Sequence, residues 1–449
     1  MIANGVETVL KTNGKDAYFE LADGYNITRL NSLKCRLIFR NAQGKVLAIM
    51  PGCQSKISAV VLKAERRLSS KEKSILQSFI KEQGIALGTD AANTLEMSIL
   101  RYSDGKEIYL TESELKHLLH GSLDAEYLYV GKLKSDSLTI AAYSRGGVYN
   151  FSRLQVKKII VRANCDLQID LRDNKVIRSV QIGNSYNGGL NLSRSNVENI
   201  SIGNNCRCDL AIFDSRECFN LRIGDVYSGD LNIKNSCFHN LRIGYYSYAA
   251  IRLQDNRGRR HIRIGDSFRG NLDIDNLNIS GIIIGRDCKG EIKIGGTDSP
   301  SGSRGVEIGD EFGGVLDLQG NNSLHGLKVG RYAVGKFYLW GKGGVRQAQF
   351  GPYFNGVADF SESSIEYIYF GGGSGGEVIL RNCYDLKLLK VHQYQNLQMQ
   401  IWQNPLQIRY DDESAYYYFA DDISKYNSCL PLYRQFYQRV KNTFGGYFN

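Results

Sequence analysis

From Val180 to His392 apolar and polar positions alternate in short bursts, and the bursts return at a nearly constant interval. Val180-Gln-Ile-Gly183, Leu221-Arg-Ile-Gly224, Leu241-Arg-Ile-Gly244, Ile262-Arg-Ile-Gly265 and Val306-Glu-Ile-Gly309 carry one pattern. The glycines stand at 183, 203, 224, 244, 265, 285, 309, 330, 351 and 371, in steps of 20 or 21 with a single 24. Seven residues after each, a second apolar-x-apolar triplet begins, at Leu190, Leu210, Leu231, Ile251, Leu272, Ile292, Leu316, Phe337, Ala358 and Val378. A gap held constant through ten copies is a structural repeat.

Apolar residues at every second position have the period of a strand, whose side chains alternate between faces. A repeat of about 21 residues is too short for the helix pairs of most α-solenoids, and the Leu-x-x-Leu-x-Leu-x-x-Asn frame of leucine-rich repeats is absent. The expectation is a parallel β-helix, each copy one coil, each strand pairing with its equivalents above and below. Column by column, the positions one and three before the glycine stay apolar (Ile182, Ile202, Ile223, Ile243, Ile264 in the first), as inward stacks should. The position between them reads Gln181, Ser201, Arg222, Arg242, Arg263, Ile283, Glu307 and Lys328, a solvent face. A second glycine column lies five residues on, at 188, 229, 270, 290, 314, 335, 356 and 376, and needs either positive φ or close backbone approach. One coil buries too little to fold alone, so stability is a sum over stacked neighbours.

In this repeat, residues 126–402 resemble right-handed parallel β-helix proteins. The right hand follows from the crossover preference of parallel strands. The resemblance implies a mainly β chain of about 13 coils, with an α+β domain over 1–125 and a Tyr-rich helical cap over 403–449. Leu432-Tyr-Arg-Gln-Phe436 is similar to a helix that follows solenoids in some bacterial proteins, which implies a bacterial source and no activity.

In the first domain the pattern predicts strands over Ala17–Leu21, Cys35–Arg40, Val46–Met50, Ile57–Leu62 and Met97–Tyr102. Ser69-Ser-Lys-Glu72 and Thr111-Glu-Ser-Glu114 are capping boxes that open helices. Val130-Gly131 followed by Leu138-Thr-Ile140 predicts a first coil, and the 31-residue step to Arg162 predicts an insertion near Ala141–Lys158. After Pro405, helices are predicted over Ser414–Tyr426 and Pro431–Phe444, covering strand edges that would otherwise invite aggregation.

Composition narrows the classes. Gly is high at 48 and Pro low at 5, which suits strands with tight corners. No apolar run reaches the roughly 18 residues of a membrane span. Met1-Ile-Ala-Asn-Gly-Val-Glu7 lacks the regions of a secretory signal, so a cytoplasmic protein is expected, or one released without a cleaved leader. The ten cysteines form no C-x-x-C pair, and Cys165, Cys206 and Cys288 share an inward column, as buried free thiols would. Neither catalytic residues, metal ligands nor a cofactor is expected. The histidines lack ligand spacing. Gly371-Gly-Gly-Ser-Gly-Gly376 matches a phosphate loop in composition only, without the following Lys-Ser/Thr.

The chemistry that stands out is basic. The net charge is +10. Arg222, Arg242 and Arg263 fall in one outward column on successive coils, with Arg252 on a second column and Arg257, Arg259 and Arg260 in a loop beside it. Planar guanidinium forks suit phosphate, carboxylate or sulfate. These residues are the candidate site for an anionic partner, an acidic polymer or a protein, although Asp225, Asp255 and Asp266 are placed to offset them. The expected function is a non-enzymatic binding or scaffold protein, with self-association as a use of the shape. One alternative is a carbohydrate-active lyase or hydrolase acting on an acidic polysaccharide through Asp255, Asp273, Asp275 and Asp317. Another is a bacterial effector whose N-terminal domain acts.

Overall fold

The computed structural model describes residues 10–13, 16–30, 36–53, 56–57, 60–62, 67–131, 133–152, 154–217, 219–256, 260–276, 279–296, 305–319, 324, 326–341, 345–392, 396–402, 406–410 and 414–419. It is a parallel β-solenoid of about 12 turns, each about 21 residues, with an antiparallel sheet near the N-terminus. The chain divides into two compact units, residues 1–179 with 187–191, and residues 180–186 with 192–449.

In the first unit, strands Leu10–Asn13, Asp16–Glu20, Asn26–Leu30, Arg36–Arg40 and Val46–Cys53 form an antiparallel meander. The helix Ser70–Glu82 begins at the expected capping box, Ser69 and Glu72 each bonding the other's backbone N–H. Its Ile75, Leu76, Phe79 and Ile80 are buried, and Phe79 meets Phe19 edge-on at 5.1 Å. The helix Glu112–Leu118 opens at the second box. The short helix Thr89–Thr94 has no box and was not legible.

The first coils correct one expectation. Leu138, Thr139 and Ile140 pair in parallel with Ile159, Ile160 and Val161, 21 residues on. Leu138-Thr-Ile140 is therefore the triplet before the coil mark, and Ala141 takes the place that glycine holds later. Ala141–Lys158 is no insertion but an ordinary coil, whose strand Arg145–Asn150 pairs with Asp124–Tyr129. The misreading came from Val130-Gly131, a glycine outside the frame.

In the second unit the columns stack as the pattern requires. Ile202 pairs with Ile223, Ile223 with Ile243, Ile243 with Ile264 and Ile264 with Ile284, all buried. The later coils fill the same space with rings: Phe350 stacks on Phe370 at 4.8 Å, and Phe354 packs beside both.

Two left-handed corners shape each coil. The marking glycines do not adopt positive φ. That conformation falls two residues later, at Ser185, Asn205, Val226, Tyr246, Ser267, Asp287, Glu311, Tyr332, Tyr353 and Gly373. Here the chain turns so that each N–H reaches the next coil, as Val226 N donates to Tyr245 O and Tyr353 N to Gly372 O. A second such corner follows nine residues on, at Asp214, Asn235, Asp255 and Asn276 among others. The marking glycines serve close approach instead. A Cβ on Gly224 would stand 2.8 Å from the carbonyl carbon of Gly203 and would meet the Asn204 side chain. That side chain belongs to a ladder one residue past the mark. Asn184, Asn204, Asp225, Asp266 and Asp310 each accept on Oδ1 from a backbone N–H of the following coil, at 2.7–2.9 Å.

The second glycine column combines both reasons offered for it. Gly188, Gly229 and Gly376 have positive φ, and they face a carbonyl of the previous coil just as Gly290, Gly314 and Gly356 do. At the C-terminal side, Ser414–Phe419 is a strand and not the start of a helix. It pairs antiparallel with Leu388–His392 and with Leu406–Tyr410. The aromatic run Tyr416-Tyr-Tyr-Phe419 favours a strand once an open edge is there to receive it. The expected helix at Pro431–Phe444 lies outside the described residues.

Candidate functional site

The basic column forms on strands Phe219–Ile223, Phe238–Ile243 and Arg260–Ile264. Each presents Leu or Ile inward on both sides of its arginine, which alternation drives outward. Arg222 pairs with Arg242 and Arg242 with Arg263, and all three are exposed. Successive Cα atoms therefore stand about 4.8 Å apart. Among the described residues none of the three has a carboxylate within ion-pair distance. Like charges at such spacing repel by on the order of 1 kcal/mol per neighbour even in bulk water, a cost that a bound anion removes.

The acids expected to offset the column are committed elsewhere. Asp225 and Asp266 accept backbone N–H groups of Tyr245 and Arg286, and Asp266 also pairs with Arg286 at 3.3 Å. Asp255 accepts from Asn276 at the other corner. Sequence reasoning also missed the neighbours two positions before the arginines. Asn220, Asn240 and His261 line up there, exposed, with Asn240 Nδ2 donating to Asn220 Oδ1 at 2.7 Å. The signal was present in the same column alignment, but a polar residue on an outward face looks like any other. The face thus offers three guanidiniums flanked by amides and an imidazole.

The remaining arginines do not join them. Arg252 lies on the other sheet, 3.7 Å from Asp230, in a column that runs Arg252, Asp273, Lys293, Asp317 with alternating charge. Arg257 and Arg259 lie outside the described residues. Arg260 points inward and is fully buried. It takes the place of an apolar residue, since its strand neighbour on the following coil is Ile279. Its guanidinium carbon sits 4.6 Å from the Phe238 ring centroid, and it donates to the carbonyls of Phe238 and Ser236. Nε has no partner among the described residues. Burial without a counter-charge pulls its pKa down to about 10. A surface anion cannot reach it, so Arg260 leaves the candidate set.

Among the described residues no three of His, Cys, Asp and Glu gather as a metal ion would need. Cys165, Cys206, Cys208, Cys288 and Cys383 are free and buried, and burial pushes the Cys288 and Cys383 thiols up to about 11. Cys237, in contrast, is disulfide-bonded. No described helix is long and apolar enough to cross a membrane. A scan against known protein families, a search of curated proteins and a search of solved structures each find no match.

Proposed function

We propose that the protein is a non-enzymatic binding or scaffold protein whose solenoid presents Arg222, Arg242 and Arg263 to an anionic partner. The observation that carries this is their register: three exposed guanidiniums on consecutive coils, each without an ion pair among the described residues. Some surface cations elsewhere on the solenoid are paired, as in Arg269–Asp287 at 2.6 Å and Lys387–Glu366 at 2.7 Å. Evenly spaced forks fit a chain with recurring carboxylates or sulfates better than a single small anion. The enzymatic alternative draws less support, because Lys293 occupies the column position between Asp273 and Asp317, the acids it would rely on.

The test is titration with polygalacturonate and polyglutamate, followed calorimetrically at two salt concentrations. The wild type should bind at least one of them, more weakly at high salt, and Arg222→Glu/Arg242→Glu/Arg263→Glu should lose at least about tenfold in affinity. Binding unchanged in the triple variant, or absent from the wild type, would overturn the proposal.

A further inference from the structure

At the first left-handed corner half of these ten coils place a small or turn-forming residue, Ser185, Asn205, Ser267, Asp287 or Gly373, and half a larger one, Val226, Tyr246, Glu311, Tyr332 or Tyr353. Tyr332 and Tyr353 are the two large residues that bring aromatic rings to this corner on consecutive coils. Their φ values are 57° and 62°, a conformation that bulky side chains rarely adopt and that Asn or Gly would take without strain. Burial does not compensate, since each ring is 52 % exposed. The two rings stack on one another, 4.9 Å apart and 5° from parallel. Tyr246 holds the same conformation and is 58 % exposed, so it is the stacking of the two rings, and what opens beside them, that sets this corner apart.

A cleft of about 700 Å3 opens beside them, within the roughly 300–1,000 Å3 of small-molecule sites. The glycine-rich run 371–376 makes it. On this coil Gly373 and Gly375 carry no side chains where the coil before has Tyr353 and Asn355. The Tyr353 ring occupies the space a side chain at 373 would fill, 2.7 Å from where its Cβ would be. Asn396 and Gln398 stand on the following coil, so the glycine coil is a trough between two raised rims. Lys336, Val357, Glu377 and Gln398 are consecutive members of one outward column along its side. Glu377 is oriented by the Gln400 amide, which donates to Oε1. Lys336, Asn355, Asn396 and Gln398 have no side-chain partner among the described residues.

We infer that this trough is a saccharide-binding subsite, separate from the arginine column. An aromatic wall and Val357 offer surface to the C–H faces of a sugar ring. Side-chain amides can both donate to and accept from hydroxyls, the ammonium of Lys336 donates, and the Glu377 carboxylate accepts. This mixture matches a polyhydroxylated, uncharged ligand. A phosphodiester chain would meet the Glu377 charge, and an apolar ligand would leave the amides unpaired.

The experiment is calorimetric titration of the full chain with cellohexaose, xylohexaose, maltohexaose and chitohexaose, with oligothymidylate as the nucleic-acid control. The wild type should bind at least one of the four sugars and not the oligothymidylate. Tyr353→Asn places a residue suited to the left-handed corner, so it should raise the melting temperature while weakening that sugar at least about tenfold. Asn355→Ala and Gln398→Ala should weaken it by a smaller factor. The triple arginine variant should bind sugar as the wild type does, which separates this site from the anion-binding face. No binding to any of the four sugars, unchanged binding in Tyr353→Asn, or binding of oligothymidylate alone would each overturn the inference.

Discussion

Arg260 and Phe238, both fully buried, stack across one coil step with the guanidinium carbon 4.6 Å from the ring centroid. The contact places a charge in the interior beside the buried rings of Phe219 and Phe238. Two carbonyl acceptors and a ring face return part of the desolvation cost, while Nε has no partner among the described residues. Replacing a buried charge with an apolar side chain of similar volume is often stabilising by about 1–4 kcal/mol. Arg260→Met should therefore raise the guanidinium chloride midpoint. A lower midpoint would show that the carbonyl bonds and the ring contact outweigh desolvation.

Adjacent glycines should respond in opposite ways. A Cβ on Gly313 would find only the Lys289 stem at 3.5 Å and Val334 at 3.7 Å, and its φ is not left-handed. Gly313→Ala should be neutral or stabilise by up to about 1 kcal/mol through the unfolded state. A Cβ on Gly314 would run into the carbonyl of Gly290, one coil back. Gly314→Ala should cost about 1–3 kcal/mol, since backbone must shift. Thermal melts of the two single variants make the comparison, and equal effects would deny that the column exists for close approach.

The Arg269–Asp287 contact predicts an acid dependence. The Arg269 guanidinium beside it, helped by Lys289 and the Ser267 hydroxyl, holds the Asp287 carboxyl below the usual carboxylate range. A depressed folded value means the stabilisation is fully present above the unfolded value of about 3.9 and is lost as pH falls through the folded one. Being partly exposed, the pair contributes roughly 0.2–1 kcal/mol. Asp287→Asn keeps a residue that tolerates the left-handed corner. Urea unfolding should find it less stable than the wild type at pH 7 and equal to it near pH 2. A gap that persists in acid would assign the effect to something other than charge.

The coil was legible because its signal is geometric. Inward columns such as Ile223, Ile243 and Ile264 must stay apolar at fixed spacing, so they survive in a single sequence. The corners were half legible. Glycine at 203, 224 and 265 announced a constraint, but its cause lies in the backbone one coil away, and the left-handed residue proved to be the one two places later. Arg260 was misplaced because a run of arginines reads as surface, and only the strand register shows that position to be inward. The trough beside Tyr353 was invisible for a related reason. Gly371–Gly376 reads as a loop until Asn355 and Asn396 are known to rise on either side of it. Ser414–Phe419 was read as helix because its pairing partner, Leu388–His392, is distant in the chain.

Both binding surfaces depend on residues of one column advancing by one coil per repeat. Spin labels on unnatural amino acids at exposed members of the arginine column test that directly. Pulse dipolar distances would be taken between position 328 and each of positions 201, 222 and 242. These pairs lie six, five and four coil steps apart. The account predicts backbone separations of about 29, 24 and 19 Å, falling by about 4.8 Å per step. Distances that do not shorten in equal steps from 201 to 242 would contradict it.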